Sequence, residues 1–341
     1  METKQIRIMS TYDNPIGLKT VSEILQKGGT VAIPTETVYG LAANAYDESA
    51  VAKIFAAKGR PQDNPLIVHI ADMSELPVVA AEIPDSAKKL AASFWPGPLT
   101  MVLKRTDKIP ASVSAGLDTV AVRMPSNEVA RTIIKASGLP LAAPSANISG
   151  RPSPTTAKHV IDDLSGKIDA VEVSGDCSVG VESTVVSLVD GKQRLLRPGG
   201  ITHEQLESVI GPVEIDSSVL SAKIESKVSS PGMKYKHYSP NTKIVIIEAD
   251  SKSFCDYVNH KDENCAAMCF SGEKDKITVP AIVYGDESDD MSQARELFDA
   301  LRLTDTLGVD VVYAHSPKKT GVGLAVYNRM LRAAAFEVIA L

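Results

Sequence analysis

Aromatic residues are scarce in this 341-residue chain, at 5% with a single tryptophan, and there are only four cysteines. Cys177, Cys255, Cys265 and Cys269 show no paired CxxC spacing, which argues against a disulfide framework or a cysteine-rich metal module. They read as reduced core thiols, and the CAAMC of 265–269 lies in an apolar run expected to be a buried strand. No stretch offers 18 uninterrupted apolar residues, and METKQIRIMSTYDNP lacks the apolar segment of a signal peptide. The expectation is a cytoplasmic chain with no membrane partner.

An excess of positive charge is missing too. Lys+Arg number 36 against 42 Asp+Glu, a formal net charge of −6. Residues 242–341 hold most of it, with 11 basic against 16 acidic residues, while residues 1–241 are close to neutral. That is not the footprint of a protein held on nucleic acid chiefly by phosphate contacts, so direct nucleic-acid binding is expected to be weak or absent. No GxxxxGK[ST] occurs, and GVGLAV at 321–326 lacks the third glycine of a dinucleotide fingerprint. It reads either as a ligand loop or as a helix start that needs glycine to lie close to its sheet. No Ser–His–Asp or Cys–His arrangement announces a covalent nucleophile.

What the chain has is an ordinary globular composition, 44% hydrophobic and 23% charged, and enough length for about two domains at roughly 150 residues each. From Gly29 to about Ile210, the strand-like runs TVAIP, LIVHI, LTMVLK, TVAVRM, LAAPS and STVVSLV alternate with helical patterns in DESAVAKIFAAK, PDSAKKLAASF and SNEVARTIIKA. Irregular strand spacing and joints at Pro61, Pro65, Pro96, Pro98, Pro144, Pro152 and Pro154 favour a twisted mixed sheet over a doubly wound one. Residues 212–241, with six serines before Pro231 and then a run of Lys and Tyr, read as a linker. Beyond Thr242, strands alternate with helices near 252–259, 291–306 and 323–335. This predicts a small parallel α/β domain over 242–341.

Three loops carry candidate chemistry. IPTETVYGLAANA (33–45) places Thr35, Glu36, Thr37 and Tyr39 where the chain leaves a strand, and reads equally as a ligand loop or an ordinary turn. AKGRPQDNPLIVHI (57–70) sets Lys58 and Arg60 at a helix C-terminus, where cations commonly just complement the macrodipole. Pro61 and Pro65 stiffen the passage, however, and lower the entropic cost of presenting Arg60, Asn64 and His69 together. LAAPSANISGRPSPT (141–155) combines small residues with Ser145, Asn147, Ser149 and Ser153, donors suited to phosphate or an adenine edge, although a plain Ser/Pro-rich loop fits as well. Arg123 in AVRMP and Arg197 in LLRPGG interrupt apolar strands, which is costly unless each meets an anion. The inventory suits positioning of a polyanion rather than covalent catalysis.

With WPGPLT (95–100), VAVRMP (120–125), VESTVV (181–186), LLRPGG and SPGMKYKHYSP (230–240), these stretches resemble the threonylcarbamoyl-AMP synthase family in its long form, closely from Gly29 to Pro240 and in type beyond. The resemblance implies a YrdC-like catalytic domain over 14–211, a twisted open sheet around a large concave cavity. A flexible linker or lid over 212–241 and a Rossmann-like domain over 242–341 would follow. It implies synthesis of threonylcarbamoyl-adenylate and pyrophosphate from L-threonine, bicarbonate and ATP, with Mg²⁺ carried by the phosphates. A downstream threonylcarbamoyl transferase complex would use the product to modify tRNA. Carried onto this chain, the family's roles put Thr37, His69, Arg123, Ala143 and Ser183 at threonine. Arg60, Asn64, Thr119, Ser145, Ser153 and Arg197 fall at ATP, Lys58 and Arg60 at the reacting phosphates, and Tyr235 and His237 over the occupied cavity. The competing expectation is a module that grips double-stranded RNA or tRNA without ATP chemistry. Carbamoyl transfer from carbamoyl phosphate would call for acylphosphatase or zinc-finger segments, and neither is evident.

Overall fold

The computed structural model describes residues 2–8, 13–220 and 238–341. Its larger sheet takes eleven strands: β1 (Lys4–Ile6), β2 (Val31–Ile33), β3 (Gly40–Asn44), β4 (Ile67–His69), β5 (Leu99–Lys104), β6 (Thr119–Arg123), β7 (Leu141–Ala142), β8 (Ala170–Glu172), β9 (Thr184–Ser187), β10 (Arg194–Arg197) and β11 (Glu214–Ile215). They lie in the order β1-β8-β2-β3-β7-β4-β6-β5-β9-β10-β11. Pairing is mixed as expected, parallel for β4 with β6 and β5 with β9, antiparallel for β3 with β7 and β5 with β6. The edge strands β1 and β11 lie outside the 14–211 stretch and pair in parallel with β8 and β10.

The helices between these strands begin and end where local chemistry predicts. Asp47 caps Glu48–Lys58 by accepting from the Ser49 and Ala50 amides, and Gly59 closes it in the left-handed conformation at φ 62°. Asn127 and Gly138 do the same for Glu128–Ser137. Gly59 therefore turns the chain sharply just after Lys58 and sends Arg60 toward the loop into β4.

The second sheet is wholly parallel: β12 (Lys243–Glu248), β13 (Cys265–Cys269), β14 (Ala281–Val283), β15 (Val311–His315) and β16 (Val338–Ala340), in the order β14-β13-β15-β12-β16. Helices on both faces explain why CAAMC is buried at all five positions. All four cysteines are free and buried. GVGLAV opens the helix Gly323–Ala333, and a Cβ at Gly323 would lie 2.6 Å from the Lys318 carbonyl oxygen, so close backbone packing accounts for that glycine.

The two sheets share a core. Val38 and Val181, from loops of the larger sheet, join Tyr238, Ala294, Phe298 and Met330 in one apolar cluster. Polar contacts accompany it: Arg302 donates to Asp163 Oδ2 at 2.8 Å and to the Pro152 carbonyl at 2.6 Å, and His159 Nε2 lies 3.1 Å from Asp299 Oδ1. The smaller unit is thus held against the rim of the larger sheet.

Candidate functional site

Strand register brings the key side chains together. In the parallel pair β4/β6, His69 stands beside Arg123 at the carboxyl ends of both strands, and Thr100 of β5 lies across from Arg123. Gly40, following the PTETVY turn, bridges to Ser145, which draws the 33–40 and 141–155 loops onto one rim. Between them lies a cleft lined by both loops.

Arg123 is buried with three partners. Its Nη2 sits 2.7 Å from Glu36 Oε1, Nη1 donates to Thr37 Oγ1 at 2.8 Å, and Nε donates to the Gly97 carbonyl at 3.3 Å. Burial works against the Glu36 carboxylate, but the Arg123 charge and hydrogen bond outweigh it and leave its pKa below the usual value. His69 Nδ1 lies 3.2 Å from the Ile67 carbonyl, and burial together with the Arg123 charge pulls its pKa down to about 3. The imidazole is therefore neutral at pH 7.

Next to Arg123, Arg197 donates from Nε to the Ser183 carbonyl at 3.0 Å and from Nη2 to Ser183 Oγ at 3.1 Å. Ser183 Oγ is also 2.8 Å from Thr100 Oγ1. Burial lowers the Arg197 pKa to about 10, which still leaves it charged. Lys58 Nζ donates to the carbonyls of Ser145 at 2.5 Å and Asn147 at 2.7 Å and to Asn147 Oδ1 at 3.2 Å. These bonds brace the 145–147 loop against the helix Glu48–Lys58. Burial, then the neighbouring Arg60 charge, pulls the Lys58 pKa well below its ordinary value.

Of the residues singled out from sequence, Thr37, Lys58, Arg60, His69, Arg123, Ala143, Ser145, Ser153, Ser183 and Arg197 all line this cleft. Asn64 is fully buried beside it, its carbonyl accepting from Arg60 Nη2 at 3.3 Å, and Thr119 sits at the start of β6; neither is a lining residue. Tyr235 and His237 lie outside the described residues. Among the lining residues that sequence reasoning did not single out are Arg151 and Glu182, and Tyr238 joins the lining from the linker. Glu182 stood next to the VESTVV hydroxyls, and an acid in so apolar a stretch was the available signal. Tyr238 lay in the aromatic run of the linker.

The family model Sua5_yciO_yrdC, described as telomere recombination, matches residues 23–199, and a second, described as threonylcarbamoyl-AMP synthase, C-terminal domain, matches 201–335. The threonylcarbamoyl-AMP synthase of Pyrococcus abyssi (strain GE5 / Orsay) is 45% identical over 331 residues, covering 94% of this chain and 95% of its own. That of Bacillus subtilis (strain 168) is 45% identical over 336 residues, covering 97% and 96%. The crystal structure of P. abyssi Sua5 complexed with L-threonine matches with a TM-score of 0.90 at 41% identity, covering 100% of both chains. Agreement over both sheets, in sequence and in backbone, means that this chain belongs to the threonylcarbamoyl-AMP synthase family.

Proposed function

We propose that this chain is an L-threonylcarbamoyladenylate synthase, converting L-threonine, bicarbonate and ATP to threonylcarbamoyl-AMP, pyrophosphate and water. The observation that carries this reading is one cleft lined by two different sets of groups. Thr37, His69, Arg123 and Ala143 form one set, and the hydroxyls and cations of Arg60, Ser145, Ser153 and Arg197 the other. The first suits a small amino acid, as does the L-threonine in the P. abyssi Sua5 crystal structure. The second suits a nucleotide polyphosphate.

The chemistry asks for positioning. The threonine amine attacks the bicarbonate carbon and water leaves; a carbamate oxygen then attacks the α-phosphorus in line while the bond to pyrophosphate breaks. Carbamates revert in water, so burial of the reacting end is the protein's main contribution, with cations offsetting charge on the departing pyrophosphate. The Arg123–Glu36 pair is neutral as a unit and matches a zwitterionic amino acid better than a bare charge does. His69, with its pKa near 3, is a poor base at neutral pH and serves as a neutral hydrogen-bonding wall. Asn64 and Thr119 would support the nucleotide end from outside the lining.

Among the described residues no cluster of His, Cys, Asp and Glu could hold a metal ion. Mg²⁺ entering with ATP would be carried by the phosphate oxygens, where it offsets their charge. The product would pass to a tRNA-modifying threonylcarbamoyl transferase complex, and the reading places the chain in the cytoplasm. Pyrophosphate release from ATP, measured with threonine and bicarbonate each left out in turn, tests the reading: release that persists without either one defeats it.

A further inference from the structure

We propose that Arg329, on the helix Gly323–Ala333 of the smaller sheet, is a positioning residue of the nucleotide site. It neutralises Glu182, so that this carboxylate can orient Ser153 without repelling a polyphosphate. The proposal rests on the reading of the cleft as an ATP site.

Glu182 is an acid in the lining of a cleft whose other charged lining residues, Lys58, Arg60, Arg123, Arg151 and Arg197, are cations. A bare carboxylate there would oppose ATP. Instead, Glu182 Oε2 accepts from Arg329 Nε at 2.9 Å, and Arg329 is fully buried. The guanidinium fork is otherwise engaged on the same side of the cleft: Nη1 donates to the Pro198 carbonyl at 2.7 Å and to Asn328 Oδ1 at 3.1 Å, and Nη2 to the Glu182 carbonyl at 3.2 Å. Such a fork fixes position as well as charge.

The second oxygen, Glu182 Oε1, lies 2.5 Å from Ser153 Oγ. An ionised carboxylate only accepts, so the serine's one proton is committed to it and its lone pairs are left to accept from a ligand. In a nucleotide, a ribose hydroxyl or the adenine amino group fits that requirement, and a phosphate oxygen does not. Burial disfavours ionised Glu182, yet the charges of Arg329 and Arg197 and the Ser153 hydrogen bond hold its pKa below the ordinary value.

The same helix holds the chain on both sides of residues 221–237. Asn328 Nδ2 donates to the Val219 carbonyl at 2.6 Å and Arg332 Nη2 to the Ser218 carbonyl at 3.0 Å, while the Ala333 carbonyl accepts from Ser239 Oγ at 2.9 Å. Arg329 also lies 5.9 Å from the centroid of the Tyr238 ring, another lining residue. The smaller sheet thereby contributes a charged group to the site of the larger one, across 147 residues of sequence.

The test uses the full chain with R329M, R329K and E182Q/R329M, reading kcat and the KM of each substrate by pyrophosphate release, and melting temperature alongside. R329M leaves a buried carboxylate uncompensated and is expected to raise the KM for ATP by about 10-fold or more, with the KM for threonine little changed. The defect should shrink as pH falls and Glu182 takes up a proton, the remaining groups facing it being Arg197, Ser153, Tyr238 and Lys58. R329K, which keeps the charge and loses the fork, should fall between wild type and R329M. In E182Q/R329M the glutamine oxygen can still accept from Ser153 and no carboxylate faces the nucleotide, so the KM for ATP should return close to wild type. Folded R329M with an unchanged KM for ATP overturns the proposal. So does a double variant that recovers nothing or does not fold, which would mean a purely structural role. R329M that cannot fold beside a double variant that folds and binds ATP supports it. Wild-type chain that shows no ATP binding by calorimetry defeats the ATP reading itself, independently of these variants.

Discussion

Glu36 and Arg123 form a 2.7 Å ion pair with both side chains more than nine-tenths buried, and the pair joins the PTETVY turn to the centre of the larger sheet. Removing one member leaves the other charge buried without compensation, at a cost of about 3 to 5 kcal/mol. Arg123→Met is therefore expected to lower stability by that order, and Glu36→Gln/Arg123→Met to recover much of it. Urea unfolding of the two variants decides this, and equal losses in both would show that the charge pairing is irrelevant.

His69 makes stability depend on pH in a defined window. Its ordinary pKa is 6.5, and the folded chain holds it near 3, so between these values the unfolded chain binds a proton that the folded chain refuses. Stability should fall as pH drops below 6.5, by about 1.4 kcal/mol per pH unit from this group. Glu36 and Glu182 are depressed carboxylates whose contributions are lost at lower pH, and raised groups such as Glu172 and His315 are common to both chains, so the difference between wild type and a His69 variant isolates the histidine. Unfolding free energies of wild type and His69→Gln at pH 7, 6 and 5 should diverge in slope; parallel lines would contradict a buried neutral imidazole.

Arg197 holds Ser183 through both its backbone and its hydroxyl. A charge-assisted hydrogen bond contributes about 1.5 to 3 kcal/mol, so Arg197→Ala is expected to reduce kcat/KM for ATP by about 10- to 150-fold. Steady-state pyrophosphate release measures it. Unaltered kinetics would remove Arg197 from the site.

Docking of the two sheets depends on Gly180. At φ 83°, its backbone lies so close to the helix Asp290–Thr304 that a Cβ would stand 2.4 Å from the Ala294 carbonyl oxygen. Gly180→Ala must push the helix away or strain the loop, at a cost of about 1 to 3 kcal/mol. Lower melting temperature together with faster proteolysis is expected, and an unchanged melting temperature would argue against this close approach.

Much of the site was legible in the chain because its signals are local. Arg123 and Arg197 stand out as cations inside apolar strands, and the serines and prolines of 141–155 mark a loop built for close approach. The capped helices follow from helical spacing with a capping residue before it, and the buried CAAMC strand from its apolar run. What the sequence determined by itself was therefore the family, the two-part α/β organisation and most of the lining. Tertiary structure decided the rest. The short strands β1 and β11 exist only because distant partners complete their ladders, and Gly180 matters only because another helix lies against it. Arg329 reads locally as one more basic residue on an amphipathic helix, and Glu182 as an acid beside two hydroxyls. Their pairing comes from compensation of buried charge, which acts through space between segments that share no sequence neighbourhood.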